Sequence, residues 1–200
     1  PAVLDINVIQ ATDVLTVSEI DEMLDAGFTT SDQAYKAVSA LLSQNPRPPQ
    51  VKVLKRGANV AQVNTLTVGG AADGTYSVTI NGVLFSFVAV AQTATQIRDG
   101  LVTAINAGAE PVTAAPSGGI VLTLTADVAG VGFSTVLASP GSTLTQVFTT
   151  ANKGADTELA RLREIDDDFY FLLTTDRTVV FLKQLSAAVE LLIKLFAFET

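Results

Sequence analysis

The chain has 200 residues, a net charge of −8 and 48% hydrophobic residues, and it contains neither cysteine nor histidine. These totals exclude disulfides, thiolate chemistry, a Ser–His–Asp triad and the ordinary type of zinc site. They also argue against binding to nucleic acid phosphates, which requires clustered Lys and Arg. The apolar content is sufficient for a packed core in one large or two small domains.

Residues 1–59 predict the first part of an α/β framework. The apolar run at 3–9 fits a buried strand. A helix is predicted over 17–24, with Thr16 or Ser18 as its N-cap. Three acidic residues lie in its first turn: Glu19, Asp21 and Glu22. Their spacing spreads them around the helix, so we expect solvated side chains rather than a metal site.

A second helix is predicted between Gly27, which can end the first helix, and the proline-rich stretch at 45–49. Its N-cap lies within 29–32. Its apolar face repeats at helical spacing: Ala34, Tyr35, Val38, Leu41 and Leu42. A strand over 51–55 follows, so helix, proline stop and strand form the second half of a β-α-β unit.

Residues 60–152 predict an inserted β-rich domain, an open sheet or sandwich that carries one helix. The strongest local signal is Asn81-Gly82 between two β-runs at 75–80 and 83–88, which predicts a hairpin. Further strands are expected at 62–68, 120–125, 131–138 and 144–149. The helix begins at Thr93 or just after it and ends at 106–108, with these residues on its inner face: Ile97, Leu101, Val102 and Ile105.

Two features of the insert could suggest ligand sites. The glycine pairs Gly69-Gly70 and Gly118-Gly119 precede strands and lack a following Lys, so they predict turns and not a phosphate loop. The three aspartates Asp73, Asp99 and Asp127 lack the oxygen-ligand spacing of a calcium loop. We therefore expect no site at either feature.

Residues 153–200 predict the second part of the framework. A helix over 156–165 is expected to bury Leu159, Leu162 and Ile165, with a weak surface pair between Glu158 and Arg161. The acidic cluster at 166–168 could suggest a metal or acid/base site. Because consecutive carboxylates point in different directions, we expect a polar loop instead.

A buried strand is predicted at 169–175, then a helix capped by Asp176, then a strand at 195–200. The inner face of this helix is predicted to comprise Val179, Leu182, Leu185, Val189, Leu192 and Ile193. The apolar run at 179–198 is interrupted by charged and polar residues: Lys183, Gln184, Glu190 and Lys194. Such charges are costly in a bilayer, so the run predicts protein core rather than a membrane span.

Both flanks resemble the contractile-tail sheath proteins of myoviruses. The resemblance lies in the sequences at 27–31, 35–37, 41–48 and 51–56, which include Ser-Gln-Asn-Pro-Arg-Pro. The acidic loop that leads into the Tyr170 strand is also similar to that family. The insert, with Asp-Gly-Thr-Tyr-Ser-Val-Thr-Ile-Asn-Gly, resembles domains that decorate phage tail proteins and repeats in bacterial adhesins.

The resemblance implies an α+β protein in which an α/β sheath-like framework is split by a sandwich-like insert. It implies a structural subunit that forms stacked rings with copies of itself around the tail tube and contracts to drive the tube through the host envelope. The implied partners are the tube protein and the baseplate and tail-terminator proteins, with no nucleic acid, membrane anchor or cofactor. The implied location is the virion, after synthesis in the bacterial host cytoplasm. Since sheath proteins are longer, the chain is expected to be a fragment of such a subunit.

Two other functions stay open. The insert could be an adhesin-like module that recognises a glycan or surface protein, which favours exposed aromatic side chains. Its aromatic residues are Tyr76, Phe85, Phe87, Phe133 and Phe148, and most of them alternate into a core. An enzyme would need two convergent carboxylates, as in glycosidases. Nothing supports that arrangement, so we expect no enzyme and nominate no catalytic, cofactor-binding or metal-binding residue.

Overall fold

Three segments of the chain alternate strands and helices in a computed structural model that describes residues 1–198. The first segment forms β1 (Ala2–Asp5), β2 (Val14–Val17), α1 (Asp21–Asp25), α2 (Gln33–Leu42) and β3 (Val51–Lys55). The second forms β4 (Val63–Val68), β5 (Gly74–Ile80), β6 (Val83–Ala89), α3 (Ala94–Asn106), β7 (Val112–Pro116), β8 (Val121–Ala126), β9 (Thr135–Ala138) and β10 (Leu144–Thr150). The third forms α4 (Ala155–Ile165), β11 (Phe171–Thr174), α5 (Val179–Glu190) and β12 (Leu195–Phe198). This mixture of strands and five α-helices confirms the α+β class for the described part of the chain.

The chain divides into two compact units. The framework unit combines Pro1–Ala58 with the segment that begins at Gly154, and the inserted unit is Asn59–Lys153. The inserted unit therefore extends one residue further at each end than the predicted 60–152. Its two ends are held together by backbone hydrogen bonds between Val60 and Lys153, at 3.0 and 3.2 Å.

The framework unit is built on one five-stranded sheet with the order β12-β11-β1-β3-β2. β1 is parallel to β3 and β11, β11 is parallel to β12, and β2 is antiparallel to β3. Side chains alternate across β1, so that Val3 faces the layer of α1 and α2. Ala2 and Leu4 face the layer of α4 and α5. Both faces of the central strand are thus covered, which explains its apolar sequence.

The N-terminal predictions need two corrections. The strand predicted at 3–9 ends at Asp5, and Val8 is almost fully exposed. The helix predicted over 17–24 is only Asp21–Asp25, with Ile20 as its N-cap and no side-chain cap from Thr16 or Ser18. The second error arises because the residues Val14–Val17 pair with β3 as a strand that periodicity did not reveal.

The second helix and its flanks agree with the sequence. Gly27 has a φ of +95°, the left-handed conformation that glycine favours after a helix. Asp32 is the N-cap of α2, but its carboxylate accepts from Thr29 rather than from the helix. α2 buries Ala34, Val38, Leu41 and Leu42, leaves Tyr35 partly exposed, and ends before the prolines.

The inserted unit consists of two antiparallel sheets, β10-β4-β8-β7 and β6-β5-β9, with α3 packed on them. Their inner faces form one core around Tyr76, Leu66, Leu122 and Ile97. Asn81 and Gly82 both have positive φ, +50° and +89°, as the predicted hairpin requires. Strand β7 was not predicted, since its sequence Val-Thr-Ala-Ala-Pro has little β signal.

The helices of the third segment bury a different set of residues from the one predicted. α4 buries Leu159 and Leu162, but Ile165 in its last turn is exposed. α5 has Thr178, not Asp176, as its N-cap, and no side-chain cap bond forms. The buried residues of α5 are Phe181, Leu185 and Val189, while Leu182 is partly exposed and Val179 is exposed.

The end of the predicted α5 face lies outside the helix. α5 ends at Glu190, so Leu192 is partly exposed and Ile193 is almost fully exposed in the following turn. The last predicted strand is β12, and the predicted strand positions 199 and 200 lie outside the described residues.

Candidate functional site

The topology of the framework sheet marks one place for a ligand. After β1 the chain crosses to the α2 face, and after β11 it crosses to the α5 face. Ligands of open α/β sheets bind outside the carboxyl ends of strands at such a switch point. A cavity of about 390 Å³ lies there, between the loops after β1 and β11 and the start of α2.

The carboxylates of this cavity are already engaged. The Asp5 carboxylate, which is buried, accepts from Nδ2 of Asn7 at 3.0 Å and from the Thr175 hydroxyl. The Asp32 carboxylate accepts from the Thr29 amide at 2.6 Å and from its hydroxyl at 2.8 Å, and these bonds lower the pKa of Asp32. The two carboxylates are therefore held by local hydrogen bonds from Asn7 and Thr29 and, for Asp5, by Thr175 from the loop after β11.

A buried ion pair lies beside the cavity. Asp176 accepts from Nη2 of Arg56, and its other oxygen accepts from the amide and hydroxyl of Thr178, each at 2.8 Å. The Arg56 guanidinium carbon lies 3.9 Å from the centroid of the Phe181 ring. Burial lowers the pKa of Arg56, although Asp176 acts in the opposite direction. This arrangement joins the end of β3 to the start of α5.

Glu158 and Arg161 form a second link at the same end of the sheet. The Glu158 carboxylate is buried and accepts from the Gly57 amide at 2.8 Å and from Arg161 at 3.1 Å. Arg161 also reaches Asp13, at 3.0 Å. Burial opposes the charged form, but hydrogen bonds to these two acids outweigh it and raise the pKa of Arg161. The predicted pair of Glu158 and Arg161 is therefore present, but it is partly buried and binds the end of β3 instead of lying on the surface.

The acidic cluster at 166–168 lies at the start of β11. Nζ of Lys52 lies 2.7 Å from both carboxylate oxygens of Asp166 and 3.5 Å from Asp168. Asp167 points elsewhere and accepts from Nε of Arg163 at 2.8 Å, with Nζ of Lys194 at 3.0 Å. Asp166 and Asp168 thus both face Lys52, whereas Asp167 points away from them towards Arg163 and Lys194.

These contacts lower the pKa values of two carboxyl groups in the acidic cluster, those of Asp166 and Asp167. The hydrogen bond from Lys52 is the main cause that lowers the pKa of Asp166. The hydrogen bond from Arg163, with a further contribution from Lys194, lowers the pKa of Asp167 to about 2. Both carboxylates are thus held in the charged form that the ion pairs need.

The other acidic residues considered above are apart from one another. Asp73 accepts from the Ala91 amide at 2.7 Å, Asp99 pairs with Arg98 at 2.6 Å, and Asp127 accepts from Thr113 at 2.6 Å. Three acids near α1 are also dispersed: Glu19 pairs with Arg47, Glu22 accepts from Ser18, and Asp21 lies in the first helical turn. Across residues 1–198, no three acidic side chains are grouped so that they could hold a metal ion.

The exposed apolar surface next to β12 was not predicted. Sequence reasoning assigned the whole run at 179–198 to the core, yet Leu191 and Ile193 are 87% and 93% exposed. Leu195 and Phe198 of β12 are about half exposed. β12 is one of the two edge strands of the framework sheet within residues 1–198, and β2 is the other. We call Leu191, Ile193, Leu195 and Phe198 the β12 edge.

None of the helices within residues 1–198 is long and apolar enough to cross a membrane.

Comparisons with known protein families and with curated proteins found no match to this chain.

Proposed function

We propose that the protein is a structural subunit of a contractile phage tail sheath, as its resemblance to that family implies. In this function the subunit assembles into stacked rings around a tail tube, and contraction drives the tube through the host envelope. The partners are other copies of the subunit, the tube protein, and the baseplate and tail-terminator proteins. The location is the virion, after synthesis in the host cytoplasm.

The charged residues of the framework unit support a structural role. At the carboxyl end of the sheet, three carboxylates accept hydrogen bonds from other elements: Asp5 from Thr175, Asp176 from Arg56 and Glu158 from Gly57. At the other end, Asp166 pairs with Lys52 and Asp167 with Lys194. A catalytic carboxylate has to be available to a substrate, whereas these carboxylates stabilise the contacts of one sheet with its helices.

The β12 edge is the observation that carries the proposal. The outermost strand of a sheet presents unpaired backbone groups on which another strand can pair. Here the strand and the turn before it also expose large apolar side chains, Ile193 and Leu195 among them. A strand edge with exposed apolar side chains is an expected contact surface for a neighbouring subunit.

The test is a charge substitution on this edge. We expect Leu195→Lys to abolish assembly, because the lysine ammonium would have to be desolvated in the subunit contact. The matched control is Leu24→Lys in α1, where the leucine is 43% exposed compared with 54% for Leu195. Sedimentation velocity of both purified variants and the unsubstituted protein measures the assembled fraction.

Unfolding curves in urea are recorded for both variants, so that loss of assembly is separated from loss of folding. The proposal is supported if the folded Leu195→Lys variant stays small while the Leu24→Lys variant assembles. It is contradicted if both variants assemble as the unsubstituted protein does.

A further inference from the structure

The two sides of the framework sheet are covered to different extents near β12. On one side, α1 and α2 pack on β1 and β3. Farther along the sheet on this side, the residues of β11 and β12 are only partly buried or are exposed: Phe171, Leu173, Leu195 and Ala197. On the opposite side, Leu172 is fully buried in the core that α4 and α5 share. Within residues 1–198, the β11–β12 pair is therefore well covered on one side only.

β11 and β12 are parallel strands, and such strands are usually covered on both sides. β11 is parallel to β1 on one edge and to β12 on the other. Parallel sheets occur almost only where helices cover both faces. The partly exposed side of β11 and β12 is thus a place where a further helix is expected to pack.

A groove runs along this side, between α2 and β11. The residues of α2 and of the turn after it that line the groove recur at helical spacing, so they lie along one flank of the helix. They are Gln33, Lys36, Ala37, Ala40, Leu41 and Gln44. The strand contributes Phe171 and Leu173, and two cavities of about 350 and 540 Å³ lie along the groove. We call it the α2–β11 groove.

The size and lining of the α2–β11 groove fit a helix. α2 has ten residues and is about 15 Å long. Packed helices lie about 8–10 Å apart, depending on the side chains between them. Ala37 and Ala40 are small residues on this flank of α2, and Phe171 and Leu173 form an apolar floor. A helix with an apolar stripe can therefore lie beside α2, which is a common mode of recognition.

The charged residues of the α2–β11 groove are basic. Lys36 and Arg177 line the cavity at one end, and Arg47, which pairs with Glu19, lines the cavity at the other end. Among residues 1–198, none of those that line these two cavities is Asp or Glu. The Asp32 carboxylate, one turn before Lys36, is bonded within its own loop and lines the neighbouring cavity instead.

This charge indicates which kind of helix fits. The chain has a net charge of −8, so a groove with only basic charged residues differs in sign from the protein as a whole. Carboxylates beside the apolar stripe of a partner helix would be attracted to Lys36 and Arg177. Ammonium or guanidinium groups at the same positions would be repelled, and such like-charge contacts exclude wrong partners.

We infer that the α2–β11 groove binds an acidic amphipathic helix of a second protein. The apolar stripe of that helix packs on Phe171 and Leu173, and its flanking Asp or Glu residues face Lys36 and Arg177. This inference concerns one side of the framework sheet and does not depend on the sheath function proposed above. Every variant below keeps Leu195, so the β12 edge is intact and failure of one proposal leaves the other standing.

The test uses two synthetic peptides of about four helical turns. Both carry the same leucine stripe, flanked by glutamates in one peptide and by lysines in the other. A side-chain cross-link on the opposite face holds each peptide helical, so that ordering costs are similar. Fluorescence anisotropy with the full 200-residue chain measures both dissociation constants. We expect the acidic peptide to bind about tenfold or more tightly than the basic one, and this preference to shrink at high salt.

Two matched pairs of substitutions locate the binding site. Ala40 and Ala187 are exposed alanines in α2 and α5, and only Ala40 lines the α2–β11 groove. We expect Ala40→Glu to weaken binding of the acidic peptide about tenfold or more, and Ala187→Glu to leave it unchanged. Lys36→Glu should weaken the acidic peptide and strengthen the basic one, whereas Lys183→Glu, at an exposed position of α5, should do neither. Urea unfolding curves confirm that all four variants are folded.

The inference is overturned if neither peptide binds the unsubstituted chain, or if the basic peptide binds as tightly as the acidic one. It is also overturned if Ala40→Glu and Ala187→Glu weaken binding equally while both proteins are folded. In that case the peptide binds somewhere other than the α2–β11 groove.

Discussion

The ammonium of Lys52 lies 2.7 Å from both carboxylate oxygens of Asp166, although the two residues are 114 positions apart in the chain. Lys52 is in β3, and Asp166 follows α4. Their side chains are 7% and 24% exposed, so the pair is largely removed from water. It therefore connects the two segments of the framework unit that the insert separates in sequence.

Removing the charge of Asp166 should destabilise the framework. In Asp166→Asn, the Lys52 ammonium stays in its buried position with only the weaker contact to Asp168, at 3.5 Å. We expect a loss of about 2 kcal/mol in the free energy of unfolding, measured in urea. Asp168→Asn is the control, because the Asp168 side chain is 90% exposed. It should change stability by less than about 0.5 kcal/mol, and equal losses in both variants would contradict this role of Lys52.

The pair between Arg163 and Asp167 should depend on pH. The folded pKa of Asp167, about 2, lies below the ordinary value of 3.8. The stabilisation is therefore fully present above pH 4 and is lost as the pH falls towards 2. We expect Arg163→Gln to be about 0.5 kcal/mol less stable than the unsubstituted protein at pH 6, since both side chains are partly exposed.

At pH 2 the difference between these two proteins should have shrunk, because that pH equals the folded pKa of Asp167 and about half of its carboxylates are protonated in the unsubstituted protein. Unfolding in urea at the two pH values measures it. A difference of the same size at both would show that Arg163 stabilises the protein by some other contact.

The framework unit should be less stable with lysine than with arginine at position 56. Its guanidinium bonds Asp176 while it stacks on the Phe181 ring, and a lysine can reproduce the charge but not the planar stacking. We expect Arg56→Lys to cost about 1–2 kcal/mol in the free energy of unfolding. The same change at Arg47, whose side chain is 44% exposed, should have little effect. Equal stability of the two lysine variants would be evidence against the stacked geometry.

Gly100 allows α3 to approach β6 closely. A Cβ atom at Gly100 would lie 2.2 Å from Cδ2 of Phe87, so the ring would have to move. We expect Gly100→Ala to destabilise the inserted unit by about 1–3 kcal/mol, despite the better helix propensity of alanine.

The Phe87→Ala background separates these two effects. Once the ring is absent, Gly100→Ala should become stabilising by up to about 1 kcal/mol. Thermal unfolding of the four proteins of this cycle measures the coupling. Additive effects of the two substitutions would exclude the contact as the cause.

Local signals predicted the elements whose conformation is determined by neighbouring residues. The Asn81-Gly82 hairpin follows from the positive φ that both turn residues adopt. The end of α1 follows from Gly27, and the capping box of Thr93 and Gln96 determines the start of α3.

Elements that depend on distant partners were missed. β2 forms because Val14–Val17 pairs with β3, which lies more than thirty residues further along the chain. Phe181 of α5 packs in the framework core and beneath Arg56, whereas helical periodicity alone had placed Val179 and Leu182 on the inner face.

The contacts of the acidic cluster also depend on residues that are distant in the sequence. The sequence predicted that consecutive carboxylates of this cluster would point in different directions, and Asp167 does point away from Asp166 and Asp168, which both face Lys52. It could not indicate that Lys52 and Lys194 approach them, because both lysines come from other elements. The exposed β12 edge was missed because an apolar run has the same composition in a core as on an exposed edge.

Negative-stain electron microscopy of the full-length protein tests the proposed structural function most directly. We expect regular hollow tubes or stacked rings, because the subunit is proposed to assemble with copies of itself around a tail tube. Dispersed monomers under several salt conditions would contradict the proposal.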